Sequence, residues 1–136
     1  MRKAVLVGVI ALLAAGAFVV TTQGGRIVAL SSGGVFILAS VPLMALARVQ
    51  LGKAFSVAPK ATTLVTHGLY SKIPHPLFVF LDLALLGVVI ALRQTWLVGP
   101  WLALVAVHAW AARREARVLE SAFGDAYRQY RARTWW

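Results

Sequence analysis

Four apolar stretches constrain the fold of this chain more than any other feature of its sequence. They run from about Ala4 to Val20, Ile27 to Ala47, Leu77 to Leu92 and Trp96 to Ala112. Each comes close to the ~20 residues that cross a ~30 Å hydrocarbon core as a helix, although the last two are short. The chain is 60% hydrophobic, whereas soluble domains are usually about 45–50% apolar. We therefore expect an all-α, polytopic membrane protein with four transmembrane helices.

The connections between the apolar stretches alternate in length. The segments from Thr21 to Arg26 and from Arg93 to Thr95 are tight turns, which predicts two helical hairpins. Between the hairpins lies the long segment from Arg48 to Pro76, which is interrupted by helix breakers at Gly52, Pro59, Gly68, Pro74 and Pro76. After the fourth stretch, the segment from Arg113 to Trp136 is basic and amphipathic, and we expect it to form a tail at the membrane interface.

The length of the chain, 136 residues, allows one domain. We divide this single membrane domain, 1–136, into an N-terminal helical hairpin at 1–47 and a region at 48–136 that carries the distinctive motifs. The chain has no Cys, which excludes disulfides, thiolate nucleophiles and Cys-based metal sites. We expect no other metal site. Any chemistry must lie on the helices or in the loops between them, because the chain is too short for a separate catalytic domain.

The distribution of charge predicts the orientation in the membrane. The chain has 14 Lys and Arg residues against 4 Asp and Glu residues, a net charge of +10. The two short turns carry only Arg26 and Arg93, and the other basic residues lie in the N-terminus, the long segment and the tail. The positive-inside rule then places both termini and the long loop on the cytoplasmic side of the inner membrane. Basic residues in such positions bind anionic lipid, which we favour over nucleic-acid binding.

The apolar stretches are also compatible with two other interpretations. Arg2 and Lys3 followed by an apolar run are also typical of a cleaved signal peptide, with a candidate cleavage site at 15–17. That run is long for the apolar core of a signal peptide, and its removal would leave three spans. A small multidrug-type transporter also has four short helices and an intramembrane acid. Such a transporter has an essential acid in its first helix, and the first stretch here has none.

Polar and aromatic residues are concentrated in two segments on the expected cytoplasmic side. The first is HGLYSKIPHPLF at 67–78, which leads into the third apolar stretch. The second is RREARVLESAFGDAYRQY at 113–130, which follows the fourth stretch.

These two segments resemble the isoprenylcysteine carboxyl methyltransferase family and its bacterial relatives, which include phospholipid N-methyltransferases. In that family, a GxY…RHPxYxG segment precedes one membrane helix and an EExxLxxxFGxxYxxY segment follows the next. The Leu–x3–Phe–Gly–x2–Tyr–x2–Tyr spacing is matched in full by Leu119, Phe123, Gly124, Tyr127 and Tyr130. The resemblance covers 62–130, about half of the chain.

The resemblance implies an enzyme that binds S-adenosylmethionine at the cytoplasmic end of its last two helices and methylates a lipophilic or membrane-embedded acceptor. Transferred residue by residue, it implies cofactor contacts at Thr62, Thr63, Leu64, Val65, Tyr70, His75, Pro76, Leu77, Phe78 and Glu115. Methyl transfer from a sulfonium is a displacement on an activated carbon, which needs positioning more than a dedicated nucleophile. No catalytic residue is identified. A prenylcysteine-like carboxylate, a phospholipid amine and a small hydrophobic thiol or phenol all remain open as acceptors.

The sequence departs from the family pattern at four positions. Pro74 replaces the Arg before the His, Phe78 replaces the Tyr and Phe80 replaces the Gly of RHPxYxG. Ala116 replaces the second Glu of the other segment. The loss of an Arg and a Tyr removes hydrogen-bond donors from the expected pocket. These departures leave a second hypothesis open, in which the chain is a catalytically degenerate, structural or lipid-binding relative.

Four further residues are weaker candidates for contacts with the acceptor. Asp82 is the acid well inside an apolar stretch, where a charge costs a few kcal/mol or more, so it should face the interior of the bundle. His108 shares a helix face with Glu115 and is expected to form an interhelical hydrogen bond. Arg113 and Arg114 are candidates to replace the missing Arg.

Small residues on the second helix predict a close contact with another helix or with a second copy of the chain in a homodimer. They are Ser31, Ser32, Gly33, Gly34 and Ser40.

Overall fold

The computed structural model describes residues 2–52 and 64–135, and within these ranges the protein is all-helical, without a strand. The α-helices are α1 (Arg2–Gln23), α2 (Arg26–Leu51), α3 (Pro76–Leu92), α4 (Val98–Phe123) and α5 (Asp125–Arg133). Short 3₁₀ helices at Gly68–Ser71 and Thr95–Leu97 precede α3 and α4.

Three helical segments are long and apolar enough to cross a membrane: Ala4–Gln23, Arg26–Leu51 and Thr95–Phe123. The helix α3 is also apolar but has only 17 residues, a length of roughly 25 Å. The prediction of membrane-spanning helices is therefore confirmed for three segments by length and composition, while α3 is shorter than a usual span.

The fourth helix is longer than the sequence analysis predicted. Its apolar part ends near Ala112, where we expected a separate tail, but α4 continues without a break to Phe123. The added turns contain Arg, Glu, Leu and Ala, which are strong helix formers, so the helix continues after the hydrophobic pattern has ended. It ends at Gly124, and α5 begins at the next residue. The tail is thus partly an extension of α4 and partly a second short helix.

The helix α3 lies at the centre of the bundle and contacts α1, α2 and α4. Its most extensive contact is with α2, where Gly33 and Gly87 lie opposite each other. A Cβ atom added at Gly87 would lie 2.6 Å from the carbonyl oxygen of Gly33, so a side chain at this crossing would force the helices apart. Ser40 is also buried on α2. The expected close approach through small residues is confirmed at Gly33, and its partner is α3, whereas Ser31 is exposed and a Cβ atom added at Gly34 would meet nothing within 4 Å.

One end of the bundle, here called the loop end, contains the end of α2, the segment that precedes α3 and the chain after α4. The Gln50 side chain, near the end of α2, accepts a hydrogen bond of 2.8 Å from the backbone N–H of Leu69. Gly68 has a φ of +59°, and a Cβ atom there would collide with the Gln50 amide, so the turn requires glycine. At the same end, the backbone N–H of Trp135 donates to the carbonyl oxygen of Lys72 at 2.9 Å. The chain after α4 is therefore fastened to the segment that precedes α3.

Candidate functional site

Two pairs of histidine and carboxylate side chains join α3 to α4. At the loop end, Nδ1 of His75 lies 3.2 Å from Oε2 of Glu115. Deeper in the bundle, Nδ1 of His108 lies 2.7 Å from Oδ1 of Asp82. We call these the outer pair and the inner pair. The expected interhelical hydrogen bond of His108 is present, and its partner is Asp82.

The spacing of these residues explains why both pairs form. His75 and Asp82 are seven residues apart at and after the start of α3, and His108 and Glu115 are seven residues apart on α4. Seven residues are nearly two helical turns, so both members of each set lie on one face, roughly 10 Å apart. The two helices run in opposite directions. On each helix the histidine comes before the acid. Because the helices are antiparallel, His75 faces Glu115 and Asp82 faces His108.

The aromatic ring of Phe78 lies between the two pairs. It stacks on His108 with a centroid distance of 4.8 Å and an angle of 6° between the ring planes. Its other neighbour is the His75 ring, at 6.0 Å and 21°. The pairs are thus connected through stacked rings rather than through hydrogen bonds. This ring is one of the positions where the sequence departs from the family pattern, and a Tyr here would add a hydroxyl to the same stack.

An apolar cavity of about 390 Å³ opens beside both pairs, within the range of ~300–1,000 Å³ that is typical of ligand sites. Side chains from α1, α3 and α4 line it, and Ile73 and Trp135 contribute at the loop end. His75, Phe78, Asp82 and His108 are among its polar and aromatic lining residues. An apolar space lined by the histidine of the outer pair and by both residues of the inner pair can hold a lipophilic molecule and contact a polar group on it.

Tyrosines surround Glu115 at the loop end. The buried Tyr130 hydroxyl donates a hydrogen bond of 2.8 Å to the backbone carbonyl oxygen of Tyr70. Burial raises the pKa of Tyr130 to about 12, with the neighbouring Tyr127 and Glu115 adding to the shift. Burial also raises the pKa of Tyr70 well above its ordinary value, the charge of Glu115 raises it further, and Arg48 opposes the shift. Both hydroxyls therefore remain neutral hydrogen-bond donors at physiological pH.

The other residues implied by the family resemblance have less direct positions. Pro76 is the first residue of α3 and is buried, and Leu77 is half-buried beside it. Leu64 packs against the buried cluster of Ala116, Tyr127 and Tyr130. Val65 is half-buried next to Leu64, while Thr62 and Thr63 lie outside the described residues.

Neither of the two arginines proposed to replace the missing family Arg is buried beside the outer pair. Arg113 and Arg114 are both exposed on α4. The Arg114 guanidinium lies 5.8 Å above the ring of Trp110, which is itself exposed. This cation–π contact occupies Arg114 on a different face of the helix from Glu115.

The remaining departures from the family pattern are buried. Pro74 and Phe80 are both buried near the start of α3, so each fills space rather than presenting a polar group. Ala116 is 7% exposed within the cluster formed with Tyr127 and Tyr130. A second Glu at that position would place a carboxylate among aromatic rings, where it would need a partner.

Some residues of the site were not identified from the sequence. The indole N–H of Trp101 donates to the backbone carbonyl oxygen of Asp82 at 2.9 Å and fixes α4 against α3 beside the inner pair. Four residues of α1 also line the cavity: Leu6, Val9, Ile10 and Leu13. Apolar residues on an apolar helix carry no sequence signal that distinguishes a cavity wall from a lipid-facing surface. The buried Trp101 offered a weak signal, because a buried indole N–H usually needs an acceptor.

Comparison with known proteins does not assign this chain to a class, so the class is described from the fold and the site. No protein-family model matches the chain, and no curated protein or solved structure matches it either. The fold and the site define a helical membrane-type bundle with a lipophilic cavity and two histidine–carboxylate pairs.

Proposed function

We propose that this protein is an S-adenosylmethionine-dependent methyltransferase that acts on a lipophilic acceptor within the membrane. One observation supports the proposal above the others. The two segments that resemble the methyltransferase family are separated by more than thirty residues of sequence, yet His75 and Glu115 meet at 3.2 Å next to an apolar cavity. The resemblance would have no functional meaning if these residues pointed apart.

The residues of the outer pair fit a polar, partly cationic cofactor. The Glu115 side chain is 41% exposed and keeps a carboxylate oxygen accessible for an ammonium or ribose hydroxyl group. His75 is only 12% exposed, so it orients that carboxylate from below. The neutral Tyr70 lies close enough for the Glu115 charge to shift its pKa. When bound, the cofactor would supply an activated methyl group at the loop end of the cavity.

In this proposal the chain has four spans, with both termini and the loop end in the cytoplasm. The beginnings of α1 and α3 line the same cavity, and Glu115 in the second half of α4 contacts His75, so these three segments lie at one end of the bundle. That end carries most of the basic residues, as the positive-inside rule requires for a cytoplasmic face. The short α3 is surrounded by the other helices, which relaxes the need for its length to match the bilayer.

The protein's own residues then have separable tasks. Glu115 binds the cofactor, His75 fixes the direction of that carboxylate, and Phe78 forms the wall between cofactor and acceptor. The cavity holds the acceptor and excludes water from the reacting atoms, which is the positioning that methyl transfer needs.

Isothermal titration calorimetry of the protein in nanodiscs tests this function. We expect saturable binding of S-adenosylmethionine and of its demethylated product, and an affinity at least about tenfold lower for Glu115→Gln, since a hydrogen bond to a charged group contributes about 1.5–3 kcal/mol. Glu120→Gln is the matched control, because Glu120 lies on the same helix but pairs outward with Arg128 at 3.6 Å. Absence of binding up to millimolar cofactor would reject the proposal.

A second candidate function is a lipid-binding membrane protein that has lost the chemistry of its family. The buried Pro74, Phe80 and Ala116 favour it, because each replaces a residue that the family pattern retains. Restoring the pattern distinguishes the two candidates. If the double variant Pro74→Arg/Phe78→Tyr binds S-adenosylmethionine and the parent does not, the parent is the degenerate form.

A further inference from the structure

The inner pair has no role in the family resemblance, and its position calls for one. The side chains of Asp82 and His108 are 15% and 14% exposed, so both are largely buried inside the bundle. Both nevertheless line the apolar cavity. An ionisable pair in an apolar space is costly to keep, and in a membrane-spanning bundle such residues are usually functional.

The geometry leaves one nitrogen of His108 for a ligand. Nδ1 is hydrogen-bonded to Asp82 at 2.7 Å, and no group in the described part of the chain is hydrogen-bonded to Nε2. No buried side-chain nitrogen or oxygen in that part of the chain lacks a partner, so Nε2 is not sealed within the packing. In the tautomer in which Nδ1–H donates to the Asp82 carboxylate, Nε2 carries a lone pair and can accept a proton.

The charge of the cavity restricts what the inner pair can bind. Among the described residues that line the cavity, none is Lys or Arg. A carboxylate ligand would therefore add a negative charge beside Asp82 without a compensating cation, and burying such a charge is costly. A neutral ligand that donates a hydrogen bond to Nε2 meets no such penalty. The donor must reach the wall where Phe78 and His108 stack and where Trp101 is buried, which favours a flat aromatic group.

We infer that the cavity is the binding site of a lipophilic phenol, that His108 receives its hydroxyl proton and that Asp82 is the positioning residue for His108. The role as methyl acceptor rests on the proposed function. In that reaction the phenol oxygen forms a bond to the methyl carbon of the sulfonium donor, and the carbon–sulfur bond breaks. Its electron pair stays on sulfur, which becomes a neutral thioether, and the hydroxyl proton moves to Nε2 of His108. A phenol has an ordinary pKa of about 10, so it needs this base at neutral pH.

Binding of four probes to the protein in nanodiscs, without a methyl donor, tests the site. The probes are 4-octylphenol, octylbenzene, 4-octylbenzoate and 4-octylanisole, which share one tail and differ in the polar group. Each is first titrated into empty nanodiscs to subtract partitioning into lipid. We expect 4-octylphenol to bind about tenfold more tightly than octylbenzene or the anisole, as one hydrogen bond to the imidazole would give. The benzoate should bind more weakly than the phenol.

The double variant Asp82→Leu/His108→Phe is the decisive comparison. Replacing both partners by apolar groups leaves no buried polar group unpaired, so it should fold where a single substitution could fail. We expect it to bind octylbenzene as the parent does and to lose the preference for the phenol. Retention of the preference, or tighter binding of the benzoate to the parent, would overturn the inference.

The failure of this inference is distinguishable from the failure of the proposed function. If the phenol preference is absent while calorimetry detects the cofactor, only the acceptor is wrong. If the preference is present and the cofactor does not bind, the cavity remains a phenol site in a protein that is not a methyltransferase. With S-adenosylmethionine and 4-octylphenol both added to the parent, conversion to 4-octylanisole, detected by mass spectrometry, would support the proposed function and the phenol site together.

Discussion

The outer and inner pairs have the same chemical groups but very different surroundings. His75 and Glu115 are 3.2 Å apart, and the Glu115 side chain is 41% exposed. Asp82 and His108 are 2.7 Å apart, and each is about as buried as the other. An exposed ion pair contributes little to stability, whereas a buried pair is costly to break because the remaining partner is left without water or protein contacts. We therefore expect the outer pair to be free for ligand binding and the inner pair to matter also for folding.

The largest expected effect separates the two pairs by stability. Asp82→Ala should lower the free energy of unfolding by about 2 kcal/mol, because Nδ1 of His108 loses its partner in an apolar environment. Glu115→Ala should cost less than about 1 kcal/mol, since water can reach the outer pair. Titration with sodium dodecyl sulfate, followed by circular dichroism, measures both. Equal losses for the two variants would mean that burial does not distinguish the pairs.

The next prediction concerns the ring that connects the pairs. Phe78→Ala should lower the free energy of unfolding by about 1–2 kcal/mol, because the ring stacks on His108 and lies over His75. Leu92→Ala is the control on the same helix, where the side chain is 56% exposed within the protein. The double-mutant cycle of Phe78→Ala with Asp82→Ala should show a coupling of about 0.5 kcal/mol or more. Strict additivity would show that the ring does not connect the pairs.

The sequence predicted the helices better than it predicted the contacts between them. The apolar stretches gave the positions of α1 to α3, and the small residues of α2 indicated a close helix contact. The predicted end of α4 was wrong because the hydrophobic pattern stops at Ala112, while residues of high helix propensity continue to Phe123. The shared helix faces of His75 with Asp82 and of His108 with Glu115 were visible from spacing. Their pairing was not, because it depends on how far one antiparallel helix is shifted along the other.

The smallest predicted effect concerns the support of the outer pair by α5. Tyr130→Phe removes the hydrogen bond from the hydroxyl to the Tyr70 carbonyl and should cost about 1 kcal/mol at neutral pH. The same hydroxyl makes stability depend on pH. Its pKa is about 12 in the folded protein and about 10 in an unfolded chain, so the folded state keeps the proton that the unfolded state loses. The contribution of Tyr130 is therefore full below pH 10 and is lost as the pH rises towards 12.

Tyr130→Phe should accordingly make the fall in stability between pH 10 and pH 12 shallower without abolishing it, because burial also raises the pKa of Tyr70. Unfolding measured across this range for the parent and the variant gives the two slopes. Asp82→Asn is the matched control: it changes the inner pair and leaves the tyrosines untouched, so its slope should equal that of the parent. If Tyr130→Phe leaves the slope unchanged, the Tyr130 hydroxyl is not held in its buried position. In that case α5 packs against Ala116 but does not stabilise the loop end near the outer pair. The outer and inner pairs would then differ in burial but not in the support that α5 gives to the outer pair.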